Sequence, residues 1–144
     1  MNARILQLLT YLFVIIFTLS GCKKKSGDTA DILNSKIWKK ALTDKNPSTN
    51  PPGKILYNSV QNCEKDDTFK FESNGSLKVN RNANKCDQNE LSEEIQTYTI
   101  NRASKELVIN GSKFTLAEES YDQLKYYAPL PSGTGYSYIV NLLE

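Results

Sequence analysis

An all-β domain, arranged as an antiparallel up-and-down barrel of about eight strands, is the fold class this 144-residue chain predicts. Three observations carry that prediction. Short apolar–polar alternations recur after residue 36, each ended by Asn, Gly, Ser or Pro. No stretch beyond residue 22 sustains a helical period. The segments are joined mostly by tight turns, and closing such a meander removes its exposed edges.

The first strand is expected at 36–43, around Trp38, the only tryptophan. Residues 44–53 hold Pro47, Pro51 and Pro52 and make a loop. Residues 54–60 read as a strand or a turn. Residues 68–80 form a hairpin: Phe69 and Phe71 alternate with Thr68, Lys70 and Glu72, Ser73-Asn74-Gly75 turns the chain, and Leu77 and Val79 alternate on the return. The polar stretch 80–91 holds Cys86. A strand at 94–101 sets Gln96, Tyr98 and Ile100 against Ile95, Thr97 and Thr99. After a turn at 102–105, strands at 106–110 and 113–118 flank Asn110-Gly111, the strongest short hairpin signal in the chain. A strand at 123–128 puts Leu124, Tyr126 and Ala128 on one side; a loop at 129–135 leads to a last strand at 136–143.

Ahead of this domain, Arg4 precedes an apolar run from 5 to 19 and the sequence Leu19-Ser20-Gly21-Cys22. A basic start, an apolar centre and small residues at the end make a secretory signal. An uncleaved anchor is the alternative, because the run is nearly long enough to span a bilayer. Cysteine directly after Leu-Ser-Gly resembles the lipobox of bacterial lipoproteins, which implies cleavage after Gly21 and acylation of Cys22. The organisation is then a signal peptide at 1–21, a polar tether at 22–31 and one domain at 32–144. Asp28-Thr29-Ala30 resembles the O-glycosylation acceptor of Bacteroidota, at Thr29.

Charge and composition exclude several functions. Setting aside Arg4 and Lys23–Lys25 leaves 14 basic and 16 acidic residues, which is no footprint for nucleic acid. The lysine triplet either meets anionic head groups beside the anchor, at on the order of 1 kcal/mol each, or is a solvated tether. The chain has no histidine, which removes Ser-His, Cys-His and histidine–metal chemistry. With Cys22 acylated, Cys63 and Cys86 remain in an exported domain, where a disulfide is the default. No catalytic residues, cofactor or metal ligands are expected.

Four features together resemble the lipocalin-like domain lipoproteins of Bacteroidota. These are Ile32-Leu33 followed by Lys36-Ile37-Trp38; the segment Cys63-Glu64-Lys65-Asp66-Asp67-Thr68-Phe69-Lys70-Phe71 with Asn74-Gly75 at its turn; the later Cys86; and the strands Leu107-Val108-Ile109 and Lys113-Phe114-Thr115-Leu116. The resemblance covers residues 31–144 and implies an eight-stranded barrel, often with a ligand cavity. It implies no particular ligand. Trp38 follows Ser35-Lys36-Ile37 rather than the Gly-x-Trp context of lipocalins.

Trp38, Phe69, Phe71, Tyr98, Tyr126, Tyr136 and Tyr138 are the candidate lining of such a cavity, since aromatic rings with hydroxyl tips suit an apolar or amphipathic ligand. The same rings could simply fill the barrel. Asp66 and Asp67 are adjacent carboxylates that could bind a cation or do acid/base work, but neighbours in a strand face opposite ways, so the favoured reading is as acceptors for turn N–H groups. Ser132-Gly133-Thr134-Gly135-Tyr136 resembles the Ser-Gly-x-x-Tyr loop of membrane-bound lysozyme inhibitors, although no second inhibitor motif follows. The expected function is therefore a lipid-anchored protein of the cell envelope, at the outer membrane and on its periplasmic face, binding a small apolar or amphipathic ligand without catalysis. The alternative is a protein-interaction module acting through Ser132–Tyr136.

Overall fold

The structure is a computed structural model that describes residues 30–144. The expected signal peptide, Cys22, most of the tether and Thr29 lie outside the described residues. The fold is all-β. After a six-residue helix α1 (Ala30–Ser35) come β1 (Ile55–Tyr57), β2 (Thr68–Phe71), β3 (Ser76–Asn80), β4 (Glu93–Asn101), β5 (Glu106–Ile109), β6 (Ser112–Glu119), β7 (Leu124–Pro129) and β8 (Tyr138–Leu143). Helix α1 is too short for its period to be legible in sequence.

The eight strands form one mixed sheet in the order β1-β8-β7-β6-β5-β4-β3-β2. From β2 to β8 the strands follow one another as an antiparallel meander, as the turn signals imply. Asn110 and Gly111 both take positive φ, 48° and 80°, the mirror-image geometry that matches strand twist in a two-residue hairpin. Gly75 closes the β2–β3 turn at φ 85°, where an added Cβ would stand 3.3 Å from the Tyr98 carbonyl oxygen.

Two expectations are corrected. The sheet is not wholly antiparallel, because β1 pairs with β8 in parallel, Ile55 opposite Tyr138 and Tyr57 opposite Val140. Residues 39–41 first run antiparallel to the end of β8; the loop at 44–53 then carries the chain past the start of β8, and β1 returns alongside it. The expected strand at 36–43 is not a strand either. Trp38 makes an isolated bridge to Phe69 of β2, and Lys40 makes another to Leu143 of β8. A segment that changes partner after two residues cannot build a ladder on either side.

Directly paired residues share a face of the sheet. The register puts Phe69, Phe71, Leu77, Val79, Tyr98 and Leu107 on one face, and Leu116, Leu124, Tyr126 and Leu143 continue it. That face is the core. Trp38, Leu107 and Leu124 are fully buried in it, and Leu33 of α1 joins them. The indole N–H of Trp38 donates to the Leu33 carbonyl at 2.9 Å, which fastens α1 over the core.

On the opposite face of β7, Lys125 is fully buried under the loop at 44–50. Its ammonium group donates to Asp44 (2.8 Å), the Asn46 carbonyl (2.6 Å), Thr49 Oγ1 (2.9 Å) and Asn50 Oδ1 (3.0 Å). Burying a lysine is tolerable only with this degree of pairing.

Candidate functional site

Five of the seven candidate aromatic residues come together. Trp38, Phe71 and Tyr98 belong to the core cluster, with Phe69 and Tyr126 packed against it. Phe71 and Tyr98 meet edge to face at 4.9 Å, and Phe114 and Tyr126 do so at 5.1 Å. The Tyr98 hydroxyl lies 3.0 Å from Asn34 Oδ1 and 2.9 Å from the Glu72 carbonyl, so it ties α1 to the β2–β3 turn. Burial pushes the Tyr98 phenol up. These are packing roles.

Tyr136 and Tyr138 do not join them. Tyr138 pairs with Pro129, on the face that carries Tyr127 and Val140, away from Trp38 and Phe69. There it stacks edge to face on Tyr127 at 5.1 Å. Tyr136 lies outside β8, with Lys54 Nζ 4.7 Å from its ring centroid. Both faces of β8 carry apolar residues, so alternation alone could not say which one turned inward. Ser132, Gly133, Thr134 and Gly135 are exposed in the loop before β8.

The core face opens at one end of the sheet, beside Phe69. Two adjoining hollows share Phe69 and Lys40. The first, of about 50 Å³, is lined mainly by Val60, Phe69, Tyr126, Leu142 and Leu143, with Asn58 and Asn141 at its edge. The second, of about 160 Å³, is lined by Lys40, Glu64, Asp67, Arg81, Glu90 and Gln96 beside Phe69 and Val79. Both fall below the ~300–1,000 Å³ of sites for drug-sized ligands. Two larger depressions, at the β2–β3 turn (with Lys70 and Glu72) and beside the 104–106 turn (with Lys105, Glu106 and Lys113), are more open to solvent than these hollows.

Three segments supply the polar wall. The 3-10 turn Asn62–Glu64 presents Glu64, which pairs with Lys40 and accepts the Gln61 N–H at 3.0 Å. Burial raises the Glu64 carboxyl, but Lys40 and the Gln61 N–H outweigh it, so the group lies below its ordinary range. Arg81 follows β3 and holds Glu94 at 2.8 Å, with Glu90 at 3.9 Å. Cys63 and Cys86 stand at disulfide-bonding distance, Cα–Cα 5.1 Å, clipping the 62–64 turn to the 82–90 loop.

The adjacent carboxylates sit in the turn ahead of β2, not in a strand, and only one accepts turn N–H groups as expected. Asp66 Oδ2 accepts the N–H groups of Ala83 (3.0 Å) and Asn84 (3.2 Å), so it pins that loop as the turn reading expects. Asp67 is 6 % exposed, lines the polar hollow, and its Oδ1 has no hydrogen-bond partner. Burial, first, pushes its carboxyl up, against the pull of Lys40 and Arg81. Burial also pushes the Tyr126 phenol, in the apolar hollow, up to about 12.

Lys40, Glu64, Arg81 and Glu90 went unmarked in the sequence because they come from four separate segments and share no spacing. The buried Lys125 was missed for a related reason: its strand position looks solvent-facing until the 44–50 loop covers it. The chain matches no family model, no curated protein and no solved structure.

Proposed function

We propose that this chain is a lipid-anchored envelope protein, acylated at Cys22 and held on the periplasmic face of the outer membrane. Its sheet curls into a lipocalin-like barrel that binds a small amphipathic ligand at the mouth beside Phe69, without covalent chemistry. The observation that carries the ligand reading is the pair of adjoining hollows, one apolar and one charged, on the core face. An amphipathic molecule presents the same two halves.

Curling of the sheet is supported by the two isolated bridges. Trp38 is opposite Phe69 and Lys40 is opposite Leu143, so the inward side passes from β2 to β8 through residues 38–40 without changing face. Side chains fill the centre, which leaves the mouth as the place for a ligand. A non-catalytic role is supported by the absence of histidine and by the commitment of Asp66 to backbone N–H groups.

Native mass spectrometry of the full chain, extracted in detergent from bacterial envelopes, tests the reading. The expected result is a small adduct lost on denaturation. It should disappear in Ser59→Trp, which fills the apolar hollow from an exposed loop position, and persist in Tyr138→Ala. Adduct-free wild-type protein, or an adduct indifferent to Ser59→Trp, would overturn it.

A further inference from the structure

We infer that Asp67 is the recognition point for an ammonium group, so that the mouth selects small primary amines. This rests on the reading of the mouth as a ligand site and adds the chemistry of the ligand.

The charged groups around the polar hollow are already engaged, with one exception. Lys40 holds Glu64, and Arg81 holds Glu94. Glu90 Oε2 accepts the Cys86 N–H at 3.1 Å, and its carbonyl accepts from Lys85 Nζ at 2.8 Å. Asp66 gives its Oδ2 to the 83–84 loop; its Oδ1 is also buried without a donor, but Asp66 does not line the hollow. Asp67 is in no ion pair among the described residues, and its buried Oδ1 accepts nothing. A buried oxygen without a donor is costly, so this site favours whatever brings one.

Chemistry narrows the donor. An anion is disfavoured, because Lys40 and Arg81 are already matched by carboxylates and Asp67 adds uncompensated negative charge. A metal ion is disfavoured too: among the described residues no three acidic or cysteine side chains are grouped to hold one. An alkylammonium carries its own charge and three N–H donors, so one carboxylate with a few neighbouring oxygens satisfies it. Gln96 also lines the hollow. The apolar hollow past Phe69 then takes the alkyl chain.

Asp67 without a ligand is held toward its neutral form by burial, and an arriving ammonium stabilises its ionised form. Protonation of Asp67 therefore competes with the amine, and amine affinity falls on acidification.

The test uses the full chain in a nonionic detergent micelle, with n-butylammonium as the probe and n-butanol and butyrate as matched controls. Ligand line broadening in NMR gives affinities, and the carboxyl carbon shift of Asp67 gives its ionisation. Butylammonium is expected to bind at least tenfold tighter than butanol, with butyrate not competing. Its addition should shift the titration of the Asp67 carboxyl carbon to lower pH, and Asp67→Asn should weaken binding at least tenfold. Equal binding of butanol and butylammonium would overturn the amine inference and leave the mouth reading standing, as would an Asp67 titration that butylammonium leaves unmoved in wild-type protein. Binding by none of the probes would also overturn the inference, while the adduct in native mass spectrometry decides the mouth reading separately.

Discussion

Replacing Lys125 by methionine removes a cation that is wholly enclosed, and the size of the loss can be worked from its surroundings. The side chain of Lys125 is 0 % exposed and that of its partner Asp44 is 6 % exposed. Methionine keeps most of the volume but leaves Asp44 buried without its counter-charge. Breaking a buried pair from one side costs about 3–5 kcal/mol. Asp44 keeps bonds from the Tyr57 hydroxyl (2.7 Å), Gln123 Nε2 (3.1 Å) and the Asn46 N–H (3.0 Å), which sets the expectation at about 3 kcal/mol, the lower end of that range. The pH dependence carries a second signature. Burial by itself raises the Asp44 carboxyl, but Lys125, Tyr57, Asn46 and Gln123 together hold it far below the carboxylate range. A folded-state value below the unfolded one contributes stability that is present above about pH 4 and lost as the pH falls through the folded value. In Lys125→Met the pull of the ammonium is gone and Asp44 moves back up, so acidification costs the variant less than the wild type. The stability gap between wild type and variant should therefore narrow between pH 7 and pH 3.5. Urea unfolding followed by the single, buried Trp38 reads this directly. A gap under about 1 kcal/mol at pH 7, or one that does not shrink in acid, would refute the account of the buried pair.

Reducing the Cys63–Cys86 pair should lower stability by about 3 kcal/mol in the chain-entropy model, since it opens a loop with a sequence separation of 23. Thermal melts with and without reductant measure it, and coincident melts would contradict the pairing. Cys22→Ser should move the protein from the outer-membrane fraction to the soluble envelope fraction. Immunoblots of fractionated cells check this, and retention in the membrane would favour the uncleaved anchor over lipidation.

Local pattern carried much of the architecture. Period-2 alternation placed Phe69, Phe71, Leu77 and Val79 on one face, and the paired register confirms that they share the core side. Asn110-Gly111 marked a hairpin because few residue pairs accept positive φ twice in succession. Two cysteines in a domain expected to be exported marked the Cys63–Cys86 pairing. These signals are readable because each depends on neighbours in the chain or on chemistry that has few alternatives.

Tertiary structure decided the rest. Alternation says which residues share a face but not which face turns inward, so Tyr138 was expected inside and lies outside with Tyr127. Asp66 and Asp67 are equivalent in sequence; only the fold gives Asp66 Oδ2 to the 83–84 loop and turns Asp67 into the polar hollow. Lys125 becomes a buried residue, on the face opposite the core, through bonds to groups 75 to 81 positions earlier. By itself the sequence determined the strands from β2 to β8, their turns and the cysteine pairing, because those follow from short-range geometry and from chemistry with few alternatives. The parallel β1, the change of partner between Trp38 and Lys40, and the charged mouth were set by long-range packing, which brings together segments whose individual patterns hold no record of one another.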